Sequence, residues 1–130
     1  MSKKVDYWLD LCDEDLVTAK GLIGLDRLLH AAFFCHLTAE KALKAAVANK
    51  TAEIPPKTHD LKRLADLSEV FDELSMEQKD LLKRLTPLHI EGRYPEHKEI
   101  LRQSLTKEFC EKLLLDTEDF LCWIKVKLEK

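Results

Sequence analysis

Residues 30–47 read HAAFFCHLTAEKALKAAV. Leu29, just ahead of this stretch, and then Ala32, Phe33, His36, Ala39, Leu43, Ala46 and Val47 recur mostly at steps of three and four, the spacing that lines up one stripe of an α-helix. Ala31, Ala32, Ala39, Ala42, Ala45 and Ala46 combine high helix propensity with small volume, so a neighbouring helix can approach closely at those positions. The pattern predicts a helix from about Asp26 to Asn49 at the centre of the molecule.

The same period extends to both sides. Upstream, Val5, Trp8, Cys12, Leu16, Ala19 and Ile23 trace a first helix, weakened near its end by Gly21 and Gly24. Downstream, KTAEIPPKT at residues 50–58 is a loop, because Pro55 and Pro56 cannot continue a helix and hold the residue before each in extended geometry. A short third helix is expected from around Thr58 to Asp60 through Leu61, Leu64, Leu67 and Val70. Ser75 with Gln78 forms a capping box that starts a fourth helix at Met76, presenting Leu81, Leu82 and Leu85. Pro87 ends or kinks that helix, and EGRYPEH, residues 91–97, reads as irregular. Thr106 then caps a last helix marked by Phe109, Leu113, Thr117, Phe120, Ile124 and Leu128. The expectation is an all-α, up-and-down bundle of four to five helices forming a single domain over residues 1–130.

Composition agrees. Apolar residues make up 45% and charged residues 35%, with three Gly and four Pro, too few turn formers for many short strands. No stretch approaches the ~18 uninterrupted apolar residues of a membrane span, and MSKKVDYWLD lacks the apolar run of a secretory signal, so a cytoplasmic location is expected. Cys12, Cys35, Cys110 and Cys122 show neither zinc-site pairing nor the density of a disulfide scaffold, and three of the four fall on apolar helix faces as reduced thiols. A net charge of −3 supplies no general field for nucleic acid, so any such contact must be local. From Lys41 to Arg63 there are six Lys or Arg against two acids, whereas Asp6, Asp10, Asp13, Glu14 and Asp15 cluster on the first helix. Oppositely charged faces can therefore complement one another within or between molecules, or stand as ordinary solvated surface.

Three separated segments, HAAFFCHLTAEKALKAAV, THDLKRL at residues 58–64 and IEGRYPE at residues 90–96, resemble in order and spacing the signature segments of HEPN domains. The resemblance spans roughly residues 5 to 128. It implies a helical bundle that usually forms a homodimer, often beside a small nucleotidyltransferase made as a separate partner or fused to it, and this chain has no room for a fused one. A toxin–antitoxin-like two-component system is the implied setting.

Candidate site residues follow from the same segments. Glu40 and Lys44 are one helical turn apart and face one another, while Lys41 points about 100° away around the helix. Lys41 and Lys44 are either a solvated charged face or contacts to phosphate or a partner. His36 lies one turn before Glu40, but no further ligand stands at suitable spacing, so no metal ion and no cofactor is expected. His59 can cap the third helix or meet a ligand. Arg93 and Tyr94 precede Pro95, which restrains Tyr94 to extended geometry; they suit a phosphate contact and a base stack, or a brace for the loop. Many HEPN proteins are metal-independent ribonucleases that use Arg, four to six residues, then His, and Arg84 and His89 match that pattern. In that reading a dimer brings two copies together, His89 moves a proton and Arg84 stabilises phosphoryl charge. Pro87 lies between the two and interrupts the helix that would display them. The readings left open are a nucleotide- or RNA-binding module, a ribonuclease, and a non-catalytic helical adaptor.

Overall fold

The computed structural model describes residues 2–129. Its helices are α1 (Lys3–Gly24), α2 (Leu28–Thr51), α3 (Leu61–Leu67), α4 (Met76–Leu85), α5 (Pro95–Ser104) and α6 (Lys107–Leu128), with 3₁₀ turns at Phe71–Glu73 and Thr86–Leu88 and no strand among the described residues. Four helix starts are fixed by side chains that take an otherwise orphaned backbone N–H. Ser2 accepts from Val5, Asp60 from Arg63, and Thr106 from Phe109, while Ser75 and Gln78 cap each other's backbone.

α2 is the axis of the bundle. A short turn through Leu25–Arg27 folds it back along α1, its most extensive neighbour; α6 and α3 cover other faces, and α4 and α5 touch it as well. All six alanines of the central stretch are buried, which lets the surrounding backbones approach closely. The larger side chains that fill the remaining core are Leu43, Leu61, Leu64, Leu81, Leu85, Leu113, Phe120 and Ile124. Cys12, Cys35 and Cys110 lie buried and unpaired within it, whereas Cys122 is exposed. Burial pushes the Cys35 thiol up to about 12 and that of Cys110 to about 11, so both act as small apolar groups. No described helix is long and apolar enough to cross a membrane.

The bundle has one helix more than the sequence pattern indicates. α5 begins at Pro95, within the stretch read as irregular, and has no buried residue. Its existence owes more to Pro95 at the first helical position than to an apolar stripe: Ile100 is exposed and Leu101 and Leu105 are half-buried. α3 is also shorter than expected, because the chain leaves the helix at Ser68 and passes through the left-handed region at Glu69 (φ 61°), which sets Val70 into the core from outside the helix.

Ala39 is fully buried in α2. Ala39→Leu is expected to lower unfolding free energy by about 1–3 kcal/mol through overpacking, as read by urea denaturation. An unchanged midpoint would show that close helix approach does not set stability at this position.

Candidate functional site

The polar centre grows out of α2. His36, Glu40 and Lys44 stand one turn apart on a helix otherwise lined with alanine and leucine, and all three are buried. A carboxylate in such surroundings needs several hydrogen bonds to remain ionised. Glu40 has them: Lys44 Nζ donates to Oε2 at 3.0 Å and His59 Nδ1 to Oε1 at 2.9 Å. His36 Nε2 also stands 3.3 Å from Oε1, close enough for electrostatic attraction but without hydrogen-bond alignment. Burial alone would raise the Glu40 pKa, yet contacts from His36, Lys44 and His59 outweigh it and hold the carboxyl at about 2.

Local structure delivers each partner. Pro87 cannot continue α4, so the helix gives way at Leu85 to the 3₁₀ turn, and the Leu85 carbonyl accepts from His36 Nδ1 at 2.9 Å. That bond fixes the His36 ring against α4. The chain leaving the turn presents His89, whose ring stacks on His59 with centroids 3.9 Å apart and meets His36 and Phe33 edge-on. His59 is held just ahead of α3, where the Thr58 hydroxyl accepts from the Asp60 backbone and Asp60 caps the helix. Arg93 Nε donates to the His89 carbonyl at 2.7 Å, which ties the RYP corner to the same cluster. Burial lowers the His89 pKa, and the neighbouring His59 and His36 lower it further, so its ring favours the neutral form.

Lys44, His59, His89 and Arg93 therefore converge from α2, the loop after the double proline, and the segment that follows α4. Tyr94 extends beyond them, 71% exposed and touching the ring of His97 edge-on. Two other candidates are engaged elsewhere. Lys41 pairs with Asp15 of α1 at 2.6 Å. Arg84 is gripped by Asp80 at 2.9 Å and by Asp116 of α6 at 2.8 Å. Burial opposes ionisation of Asp116, but hydrogen bonds from Lys112 and Arg84 prevail and keep its pKa below the ordinary carboxylate value. Within one chain, then, Arg84 and His89 face different partners. The basic run is likewise compensated: Lys41, Lys44, Lys50 and Lys62 each meet a carboxylate, that of Asp15, Glu40, Glu69 and Asp66 respectively.

A family model of the HEPN domain matches residues 5–127, nearly the whole chain. The chain belongs to the HEPN family. No curated protein matches its sequence. Among solved structures, this HEPN fold superposes on TT1696 from Thermus thermophilus with a TM-score of 0.80 at 24% identity, covering 97% of this chain and 99% of that one. It also superposes on ST0689, described as an archaeal HEPN homologue, with a TM-score of 0.74 at 17% identity, covering 98% and 99% of the two chains. At these identities the likeness speaks for the fold.

Sequence reasoning saw Glu40 as half of a surface-type pair with Lys44 and missed it as the hub of a buried cluster. The available signal was three polar residues, His36, Glu40 and Lys44, on the stripe that the apolar period assigns to the interior. The grouping with His59 and His89 crosses 19 residues of chain in one case and joins separate elements in the other, and no helical period encodes it.

Because the folded pKa of Glu40 lies below its ordinary value of 4.5, its contribution to stability is complete above pH 4.5 and is lost as pH falls toward about 2. Glu40→Gln is expected to lower stability at pH 7 by about 3–5 kcal/mol, since it leaves Lys44 buried without a counter-charge. It should also flatten the acid limb of the stability curve, measured by urea denaturation across that pH range; an unaltered acid limb would mean that Glu40 is not the group being protonated.

Proposed function

We propose that this HEPN domain is a nucleotide- or RNA-binding module, acting in the cytoplasm as a homodimer and as the partner of a small nucleotidyltransferase in a toxin–antitoxin-like system. The dimer and the protein partner rest on family membership. The binding itself is supported by one observation above all, the anchoring of Arg93.

With Nε committed to the His89 carbonyl, the Arg93 guanidinium is oriented while its terminal nitrogens make no ion pair among the described residues. A phosphate held by that fork would lie beside the exposed ring of Tyr94, and Pro95 keeps the Tyr94 backbone extended at φ −68° and ψ 151°. A phosphate contact next to an aromatic face is the minimal chemistry of a nucleotide site. Lys44 and His59 stand on the interior side as hydrogen-bond donors restrained by Glu40. Thermal unfolding with ATP, and separately with a short single-stranded RNA, should show a ligand-dependent rise in Tm. Arg93→Ala and Tyr94→Ala should each weaken the effect about tenfold in affinity or more, in line with ~1–3 kcal/mol per stacked base. Absence of any shift with either ligand would leave the non-catalytic adaptor in its place.

The ribonuclease reading has one observation in its favour. His89 Nε2 is buried without a hydrogen-bond partner among the described residues, and the ring favours the neutral form, which suits a general base acting on an RNA 2′-hydroxyl. Against it, a phosphoryl group would have to displace Asp80 or Asp116 from Arg84. Incubation of RNA with the protein in EDTA, beside His89→Ala, decides between them. Cleavage that disappears on substitution establishes the enzyme, and intact RNA in both samples leaves the binding module.

A further inference from the structure

We propose that Glu40, His59 and His89 form a binding site for one divalent transition-metal ion of the zinc class. One donor atom from each of the three residues lies within 4.8 Å of the other two, although the residues come from mid-α2, the loop before α3 and the segment after α4. The inference shares His59 with the nucleotide reading but is separable from it, since that reading rests on Arg93 and Tyr94 and neither takes part here.

The argument begins with His36. Its Nδ1 must carry a proton, because the atom 2.9 Å away is the Leu85 carbonyl oxygen, which can only accept. His36 Nε2 points the other way, toward the interior, 3.3 Å from an oxygen of Glu40. His36 is 1% exposed, and its Nε2 has no hydrogen-bond partner among the described residues. A histidine whose outer nitrogen is tied to a backbone carbonyl while the inner one points at a carboxylate also has the orientation typical of metal-site imidazoles. His89 Nε2, buried and without a partner as well, adds a second unsatisfied nitrogen to the same cluster.

The distances suit such an ion. Two ligands bound at ~2.0–2.2 Å to one tetrahedral centre lie about 3.3 Å apart. Glu40 Oε1 stands 2.9 Å from His59 Nδ1, and all three donor atoms lie within 4.8 Å of one another, so small side-chain shifts bring them to that spacing. The ion takes the place of the hydrogen bond between His59 Nδ1 and Glu40: the His59 ring then carries its proton on Nε2 and offers the Nδ1 lone pair to the metal. Imidazole and carboxylate donors favour Zn²⁺, Co²⁺ or Ni²⁺ over Mg²⁺ and Ca²⁺, which seek all-oxygen shells. His59, with its side chain 54% exposed on a loop, is the ligand free to adjust, and coordination would turn it out of its parallel stack on His89. Lys44 remains on the other carboxylate oxygen, where it keeps Glu40 oriented.

The test uses the full chain after chelator treatment and dialysis, titrated with Zn²⁺ alone by calorimetry and followed by thermal unfolding. One Zn²⁺ per chain should bind and raise Tm, and Co²⁺ should give the visible absorption of a four-coordinate ion. His59→Ala, at a half-exposed position that leaves the helices intact by circular dichroism, should reduce affinity at least tenfold, and His89→Ala likewise. His30→Ala and His97→Ala should leave it unchanged, and Mg²⁺ should not compete. Failure of Zn²⁺ to bind, binding indifferent to His59 and His89, loss of binding with His30→Ala or His97→Ala, or equal binding of Mg²⁺ would each overturn the proposal. None of these outcomes bears on the Tm shift with ATP or RNA in the Arg93 and Tyr94 variants, so the two readings fail independently.

Discussion

The carboxylate of Glu40 is the constraint around which the rest of the molecule is arranged. An ionised group 2% exposed in the middle of the central helix is tolerated only where hydrogen bonds and positive charge replace the water it has lost. Lys44 supplies the charge from within α2. His59 comes from the loop ahead of α3, and His36, on the turn before, reaches across to the end of α4. One buried charge thus determines where three separate pieces of backbone must lie, and stacking of His89 on His59 draws in a fourth.

That arrangement links a helix-ending proline to the chemistry of the site. Pro87 stops α4, the stop makes the Leu85 carbonyl available, and His36 takes it. The same turn carries His89 into the cluster and leaves its carbonyl facing Arg93. Pro95 acts a few residues later, opening α5 and keeping Tyr94 extended, so the arginine and the tyrosine project from a corner restrained on both sides.

Charge elsewhere is largely neutralised internally. The acidic cluster of α1 is partly consumed by Lys41 and Lys125, which bind Asp15 and Asp13, and Arg84 by Asp80 and Asp116. Isolated pairs of this kind contribute little to stability when exposed, about 0–1 kcal/mol each. Their larger consequence is to remove most of the basic run as a surface for polyanions. Arg93 differs because its anchor is a neutral carbonyl, which orients the guanidinium without cancelling its charge.

Periodicity and capping chemistry are local, and whatever depends on them was legible in the sequence. The apolar stripe of α2, the Ser75–Gln78 box at Met76, the Thr106 cap and the buried positions of Cys12, Cys35 and Cys110 all rest on residues within a few turns of one another. α5 was not legible, because a helix with no buried residue lacks the stripe that betrays one, and its proline resembled a loop signal. Family membership was legible too, since three short segments keep their order and spacing along the chain. What only the tertiary structure decided is the company each polar residue keeps. His36 and Glu40 were one turn apart in any reading, but the imidazoles of His59 and His89 reach them because α3 and α4 pack on α2, and packing of distant elements follows from burial of the whole apolar surface rather than from any local pattern.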